Sequence, residues 1–187
     1  MRGYFAVGVE GLSKTGNFGN LIRTAHAFGA SFFFTVNAET KVTRFGADTS
    51  RTSENIPYYP FENVDALHLP KDCKLVGIEL TDDAIALPSF RHPPRAAYVL
   101  GPERASLSPE MTERCEFVIK IPTSFCINVA TAGAIVMYDR IATYGKFAER
   151  PVKSGGPTEE LPEHIHGLPR FRTGRTVMDK NPTSDDT

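Results

Sequence analysis

Residues Asn17–Ala30 read NFGNLIRTAHAFGA, and the spacing of their apolar members decides the class of fold. Leu21, Ile22, Ala25 and Phe28 recur at helical intervals, so one side of a helix faces a core. Asn17 or Asn20 is a candidate cap at its start, and Gly29 a candidate left-handed terminator. Upstream, Tyr4–Val9 has the pattern of a first strand. Downstream, Ser31–Val36 (SFFFTV) is a short apolar run rich in aromatics, as in a buried strand. Arg23 alone resists this plain reading. It is expected in the first or second turn, where the helix dipole opposes an exposed cation by about 0.3–1 kcal/mol.

The same alternation continues along the chain. Lys41–Asn55 is polar and reads as a loop with one helical turn. Ile56–Tyr59 is a candidate short strand and Phe61–Leu67 a weak helix. KLVGIEL (Lys74–Leu80), AAYVL (Ala96–Leu100) and Cys115–Ile119 read as strands, and Ser108–Arg114 as a short helix capped by Ser108. The longest helical pattern is Asn128–Tyr144, with Asn128 its N-cap. Strands alternating with helices predict an α/β fold, a mostly parallel sheet with helices on both faces. In such folds ligands sit beyond the carboxyl ends of the strands. One domain is expected over residues 1–150. The segment 151–187 is rich in Pro, Gly and charge and lacks periodicity, and is expected to be extended or disordered.

Composition narrows the function. With 187 residues the chain can bury a sizeable core. Its net charge of -1 exerts no general pull toward nucleic acid or membrane, although a local basic patch is compatible with it. The longest apolar run, VATAGAIVMY (Val129–Tyr138), falls far short of the roughly 20 residues a span needs. MRGYFAVGVEGL at the start is strand-like rather than a signal peptide, so a cytoplasmic protein with no membrane partner is expected. Cys73, Cys115 and Cys126 form no CxxC pair, and His164 with His166 lacks a third ligand, so no metal site is expected. The GNFG loop lacks the GK[ST] of a nucleoside triphosphatase, and no GxGxxG follows the first strand, which argues against a dinucleotide oxidoreductase.

Three segments at strand ends carry the remaining chemistry: the opening stretch, YVLGPERASLS (Tyr98–Ser108), and IKIPTSFCINVATAGAIVMYDR (Ile119–Arg140). Gly101 directly after a strand permits close approach of a ligand to the backbone. A helix starting at Asn128 offers N–H groups to a ligand. Each piece alone has a bland reading: Glu103 as a solvated loop charge, Asn128 as a simple cap, Cys126 as a small buried hydrophobe, Arg23 as a surface partner of Glu10 or Glu103.

In order, NFGNLIRTAHAFG, VLGPERASLS and IPTSFCINVATA resemble the SpoU/TrmH branch of the SPOUT RNA methyltransferases, over about Tyr4–Tyr144. The resemblance implies a C-terminal trefoil knot, a homodimer, S-adenosylmethionine as cofactor, and methyl transfer to a ribose 2′-hydroxyl of tRNA or rRNA. It implies catalytic roles for Arg23, Asn17, Glu103 and Asn128. It implies a cofactor pocket formed by Glu79, Leu80, Leu100, Gly101, Ile121, Pro122, Cys126 and Asn128. Cys126 stands where the family usually has serine, and a thiol is the weaker donor. A non-catalytic RNA-binding or cofactor-sensing protein on the same fold is the alternative. For Arg23 the expected work is orientation and charge stabilisation at the reacting ribose, because an arginine side chain holds its proton too firmly for a general base. No separate RNA-binding domain is expected, so RNA contacts fall to Lys14, Arg44, Arg51, Arg91 and Arg104. A tail cluster, Arg170, Arg172 and Arg175 around Phe171, is a further candidate.

Overall fold

A computed structural model of the chain describes residues 3–11, 15–38, 55–102 and 105–157. The chain divides into two compact units, Met1–Gly145 and Lys146–Thr187. In the second, the described residues 146–157 are exposed and form neither helix nor strand.

The first unit holds a parallel sheet. Its strands are β1 (Tyr4–Glu10), β2 (Phe32–Val36), β3 (Tyr58–Phe61), β4 (Lys74–Ile78), β5 (Ile85–Ala86), β6 (Arg95–Leu100) and β7 (Phe117–Lys120). They lie side by side in the order β3-β2-β1-β6-β4-β7-β5. The described pairings are all parallel, as between Val7 and Tyr98 or Val76 and Tyr98. Both faces of the sheet are covered, which is why the central strands read as continuous apolar runs rather than alternating ones. On one face Phe5, Val7 and Val9 of β1 and Tyr98 and Leu100 of β6 pack under α1 (Thr15–Ala27) and α3 (Val129–Tyr144). On the other, Ala6, Ala97 and Val99 meet Val64, Leu67, Leu107 and Met111, the last from α2 (Pro109–Arg114). Gly8 is required because a Cβ there would stand 2.4 Å from the Phe34 ring.

The helix starts and stops correct several expectations. α1 begins at Thr15, so Asn17 and Asn20 lie inside it and neither is its N-cap. Arg23 therefore sits past the middle of a 13-residue helix. The dipole penalty, which fades beyond the first turn, does not apply to it. Gly29 does terminate α1: its φ is +78°, and the N–H of Ala30 reaches back to the Ala25 carbonyl at 2.9 Å. Ser108 caps α2 by accepting from the Met111 N–H, and Asn128 caps α3 by accepting from those of Ala130 and Thr131.

The weak helix expected over Phe61–Leu67 is absent, and bends and a turn occupy residues 62–66 instead. The Asn63 side chain accepts from the Ala66 N–H at 2.8 Å, a local bond that competes with helix formation. The strand expected at Ile56–Tyr59 lies two residues later, and its Pro60 is tolerated because β3 is at the sheet's edge. The two-residue β5 carries too little pattern to be seen in sequence. Of the loop expected over Lys41–Asn55, residues 41–54 lie outside the described residues.

Candidate functional site

The carboxyl ends of β4 and β6, the chain leaving β7, and the first turns of α1 and α3 enclose a cavity of about 610 Å³. That is the size of site that takes a drug-sized molecule. Ile78 at the end of β4 contributes with Glu79 and Leu80 just past it, and Leu100 at the end of β6 with Gly101 and Pro102 just past it. Ala105 and Ser106 follow, then Ile121, Thr123, Cys126 and Ile127 from the loop after β7. Asn17 closes one side from α1, and Asn128, Val129 and Ala132 do so from α3. The walls are thus largely aliphatic, with a few polar groups at set points.

Two of those polar groups are joined. The Asn128 amide nitrogen donates to Asn17 Oδ1 at 3.1 Å, across 111 residues of sequence. The orientation of Asn128 follows from its cap, since Oδ1 already accepts from the N–H groups of Ala130 at 2.9 Å and Thr131 at 3.4 Å. Its NH2 must then face away from the helix, toward Asn17. The cap also uses donors that the sequence reading expected to be open to a ligand.

The loop after β6 is built differently from expectation as well. A Cβ on Gly101 would lie 3.0 Å from the Leu107 nitrogen and 3.2 Å from the Ser106 carbonyl carbon. The glycine therefore makes room for the returning loop, not only for a ligand. Glu79 binds that loop: one carboxylate oxygen accepts from the Leu107 N–H at 2.8 Å, the other from the Leu80 N–H at 3.1 Å. The loop after β7 is knit by Thr123, whose N–H reaches the Ile121 carbonyl at 2.8 Å and whose hydroxyl donates to the Phe125 carbonyl at 2.9 Å.

The structure thus brings Asn17, Glu79, Leu80, Leu100, Gly101, Ile121, Cys126 and Asn128 to one cavity. Pro122 is exposed and is not among the lining residues, although Ile121 and Thr123 on either side are. Cys126 is exposed on the wall, which overturns its reading as a buried hydrophobe. Arg23 is exposed on α1, about 9 Å along the helix axis from Asn17 at the usual rise per residue, and is not a wall residue. Sequence reasoning missed Ile78, Pro102, Ala105, Ser106, Thr123, Ile127, Val129 and Ala132; all but Ile78 lie inside the quoted motifs, but their small or plain side chains gave no chemical signal. Arg91 is exposed. Glu103, Lys14, Arg44, Arg51, Arg104, His164, His166 and the cluster of Arg170, Phe171, Arg172 and Arg175 lie outside the described residues.

The sequence profile of the SpoU rRNA Methylase family matches residues 4–138. No curated protein matches the chain. Among solved structures, an AdoMet-bound rRNA methyltransferase from Sinorhizobium meliloti is 22% identical, with a TM-score of 0.65 over 77% of this chain and 58% of that one. The TrmH/SpoU tRNA modifying enzyme of A. aeolicus is 19% identical, with a TM-score of 0.63 over 74% of each chain. A structure explaining the 2-OH methylation of C/U34 on tRNA is 17% identical, with a TM-score of 0.67 over 76% of this chain and 97% of that one. At these identities the shared property is the fold. The chain spans about three fifths of the length of several matching structures, among them a second one from S. meliloti at 59%.

Proposed function

Because the chain belongs to the SpoU rRNA Methylase family, we propose that it moves the methyl group of S-adenosylmethionine to a ribose 2′-hydroxyl of tRNA or rRNA. The observation that carries this reading is the cavity. All three sequence segments that resemble the family's motifs line it, and the Asn17–Asn128 bond ties the first to the third.

The residues present fit the cofactor. Leu80, Leu100, Ile121 and Ile127 supply apolar wall for a flat heterocycle, while Ser106, Thr123 and Asn128 supply polar groups beside it. The S. meliloti structure of this fold is described as AdoMet-bound, which supports the assignment. Bound there, S-adenosylmethionine supplies a methyl group already activated on a sulfonium sulfur.

What remains for the chain is to align a poor nucleophile and manage its charge. Asn17 and Asn128 hold the start of α1 against the start of α3. In this reading Arg23, projecting from α1, meets the RNA: its planar fork grips a phosphate beside the target ribose and steadies the oxygen as charge develops. The proton leaves to phosphate or water. Glu103 is taken as the acidic member of the second motif. The same reading makes the protein a homodimer with a knotted C-terminal part, in which Arg23 serves its own cavity or that of its mate. The exposure of Tyr138 on α3, at 58%, supports a protein contact on that helix.

The test is transfer of labelled methyl from S-adenosylmethionine to total RNA from a strain lacking the protein. The expected result is label in RNA as 2′-O-methylribose. Arg23→Ala is expected to abolish transfer, by at least about a hundredfold if the guanidinium stabilises the developing charge, with cofactor affinity unchanged by calorimetry. Near-normal turnover in that variant sinks the assignment of Arg23. Cofactor binding without transfer to any RNA favours the non-catalytic alternative, which the thiol of Cys126 in place of the usual serine suggests.

A further inference from the structure

The loop that closes the cavity after β6 is held from both sides by carboxylates at the carboxyl ends of the flanking strands. β6 lies between β1 and β4 in the sheet. At the end of β1, Glu10 is only 4% exposed. One of its carboxylate oxygens accepts from the Ser108 N–H at 2.9 Å, the other from the Ser108 hydroxyl at 2.6 Å. Just past β4, Glu79 accepts from the Leu107 N–H at 2.8 Å. Consecutive residues of one loop are therefore gripped by carboxylates standing on either side of the strand that precedes it.

The rest of the loop follows from this grip. Leu107 is buried, its Cδ1 lying 3.0 Å from where a Cβ on Gly77 would stand. Ala105 and Ser106, immediately before it, line the cavity. The Ser108 hydroxyl also accepts from the Met111 N–H at 3.1 Å, so the start of α2 hangs on the same carboxylate. Glu10 itself is not among the lining residues.

We propose that Glu10 and Glu79 are a pair of positioning residues that fix the Ala105–Ser108 loop as the cofactor wall, Glu10 acting at a distance through Ser108. Carboxylates suit the task because each faces only donors, and each offers acceptors without a proton of its own. A glutamine at 79 would set its NH2 against one of two backbone N–H groups that have no freedom to turn. A glutamine at 10 would turn its NH2 toward the Ser108 hydroxyl, which now donates to Glu10, and so exchange a charge-assisted bond for a weaker neutral one with its donor reversed.

This rests on the cofactor reading above, and the experiment separates the two. In the full-length chain, Glu10→Gln is expected to weaken S-adenosylmethionine binding about tenfold by calorimetry, the scale of losing a hydrogen bond to a charged group. Amide exchange at Leu107 and Ser108 is expected to accelerate. Cys73→Ala, in the core away from the cavity, should lower the melting temperature without moving the affinity, which marks the effect of Glu10 as more than lost stability. Should Glu10→Gln fail to fold, Ser108→Ala removes the same hydroxyl bond and is expected to weaken binding in the same direction. Affinity within about twofold of wild type in a folded variant, or unchanged exchange at Leu107 and Ser108, overturns the proposal. A wild-type protein that does not bind S-adenosylmethionine overturns the cofactor reading, and the exchange measurement still decides whether the carboxylates hold the loop.

Discussion

Cys126 is a probe that the protein carries in its own cavity wall. It is exposed, whereas Cys73 is buried and Cys115 partly so. Burial pushes both of those thiols up, Cys115 to about 12 with Glu116 adding to the effect. Thiolates are the reactive species, so a raised thiol is inert at neutral pH. The expected outcome with a small alkylating reagent on the native protein is modification at Cys126 well before Cys73 or Cys115, read by peptide mass spectrometry. Because Cys126 lines the cavity, saturating S-adenosylmethionine should slow that reaction. Labelling indifferent to the cofactor would move its binding away from the loop after β7.

The crossing of α1 and α3 sets the geometry of the site at the level of elements. Gly133 lies on α3 where a Cβ would stand 2.4 Å from Cδ1 of Leu21 on α1. Leu21 is fully buried, so its side chain has little room to give. The close approach keeps Asn17 and Asn128 within hydrogen-bond reach one turn farther up each helix. Gly133→Val is expected to push the helices apart, with a loss of about 1–3 kcal/mol typical of overpacking. At temperatures where the variant stays folded, cofactor binding should fall too, because the Asn17–Asn128 contact is disturbed. A melting curve combined with calorimetry checks both; destabilisation with intact binding would detach the cavity from the helix crossing.

Across the whole first unit, a buried polar network fastens α3 to the amino-terminal edge of the sheet, opposite the cavity. Arg140, only 4% exposed, donates to the carbonyls of Pro93 at 2.7 Å and Pro94 at 2.8 Å, and to the Tyr98 hydroxyl at 3.1 Å. The rings of Phe5 and Tyr144 lie against its guanidinium. Tyr98 and His92 are 2.5 Å apart at Nδ1, and His92 Nε2 is 2.9 Å from Asp139. The donors run in one direction: Arg140 to Tyr98, Tyr98 to His92 Nδ1, and His92 Nε2–H to Asp139. That order requires a neutral imidazole. Burial pushes His92 below the usual histidine range and outweighs the pull of Asp139, with Arg140 adding to the lowering. Tyr98 is pushed up to about 12 by burial, so it keeps its proton for His92.

The unfolded chain, with an ordinary histidine at 6.5, takes up the proton first. Stability that His92 contributes above that pH is lost as the pH falls below it toward the lowered folded value. The expected result is a melting temperature that declines from pH 7.5 to 5. His92→Gln should be less stable at neutral pH but show a shallower decline, since the titrating group is gone. Parallel slopes for the two proteins would show that carboxylates elsewhere, not this network, set the acid limit.

The alternation of apolar runs and helical periods was enough to determine the α/β class, the parallel sheet and the caps at Ser108 and Asn128, because each is a local pattern with a local physical cause. The ordered trio of motifs likewise identified the segments that meet at the cavity. What only the tertiary structure decided are the facts that depend on which strand lies beside which. Gly101 makes space for its own loop, Glu10 reaches Ser108 across 98 residues of sequence, and Asn17 is a bridge rather than a cap. Arg23 shows the limit most clearly. Its apparent conflict with the helix dipole vanishes because α1 begins at Thr15, ahead of both asparagines that offered themselves as caps, which leaves Arg23 beyond the first two turns.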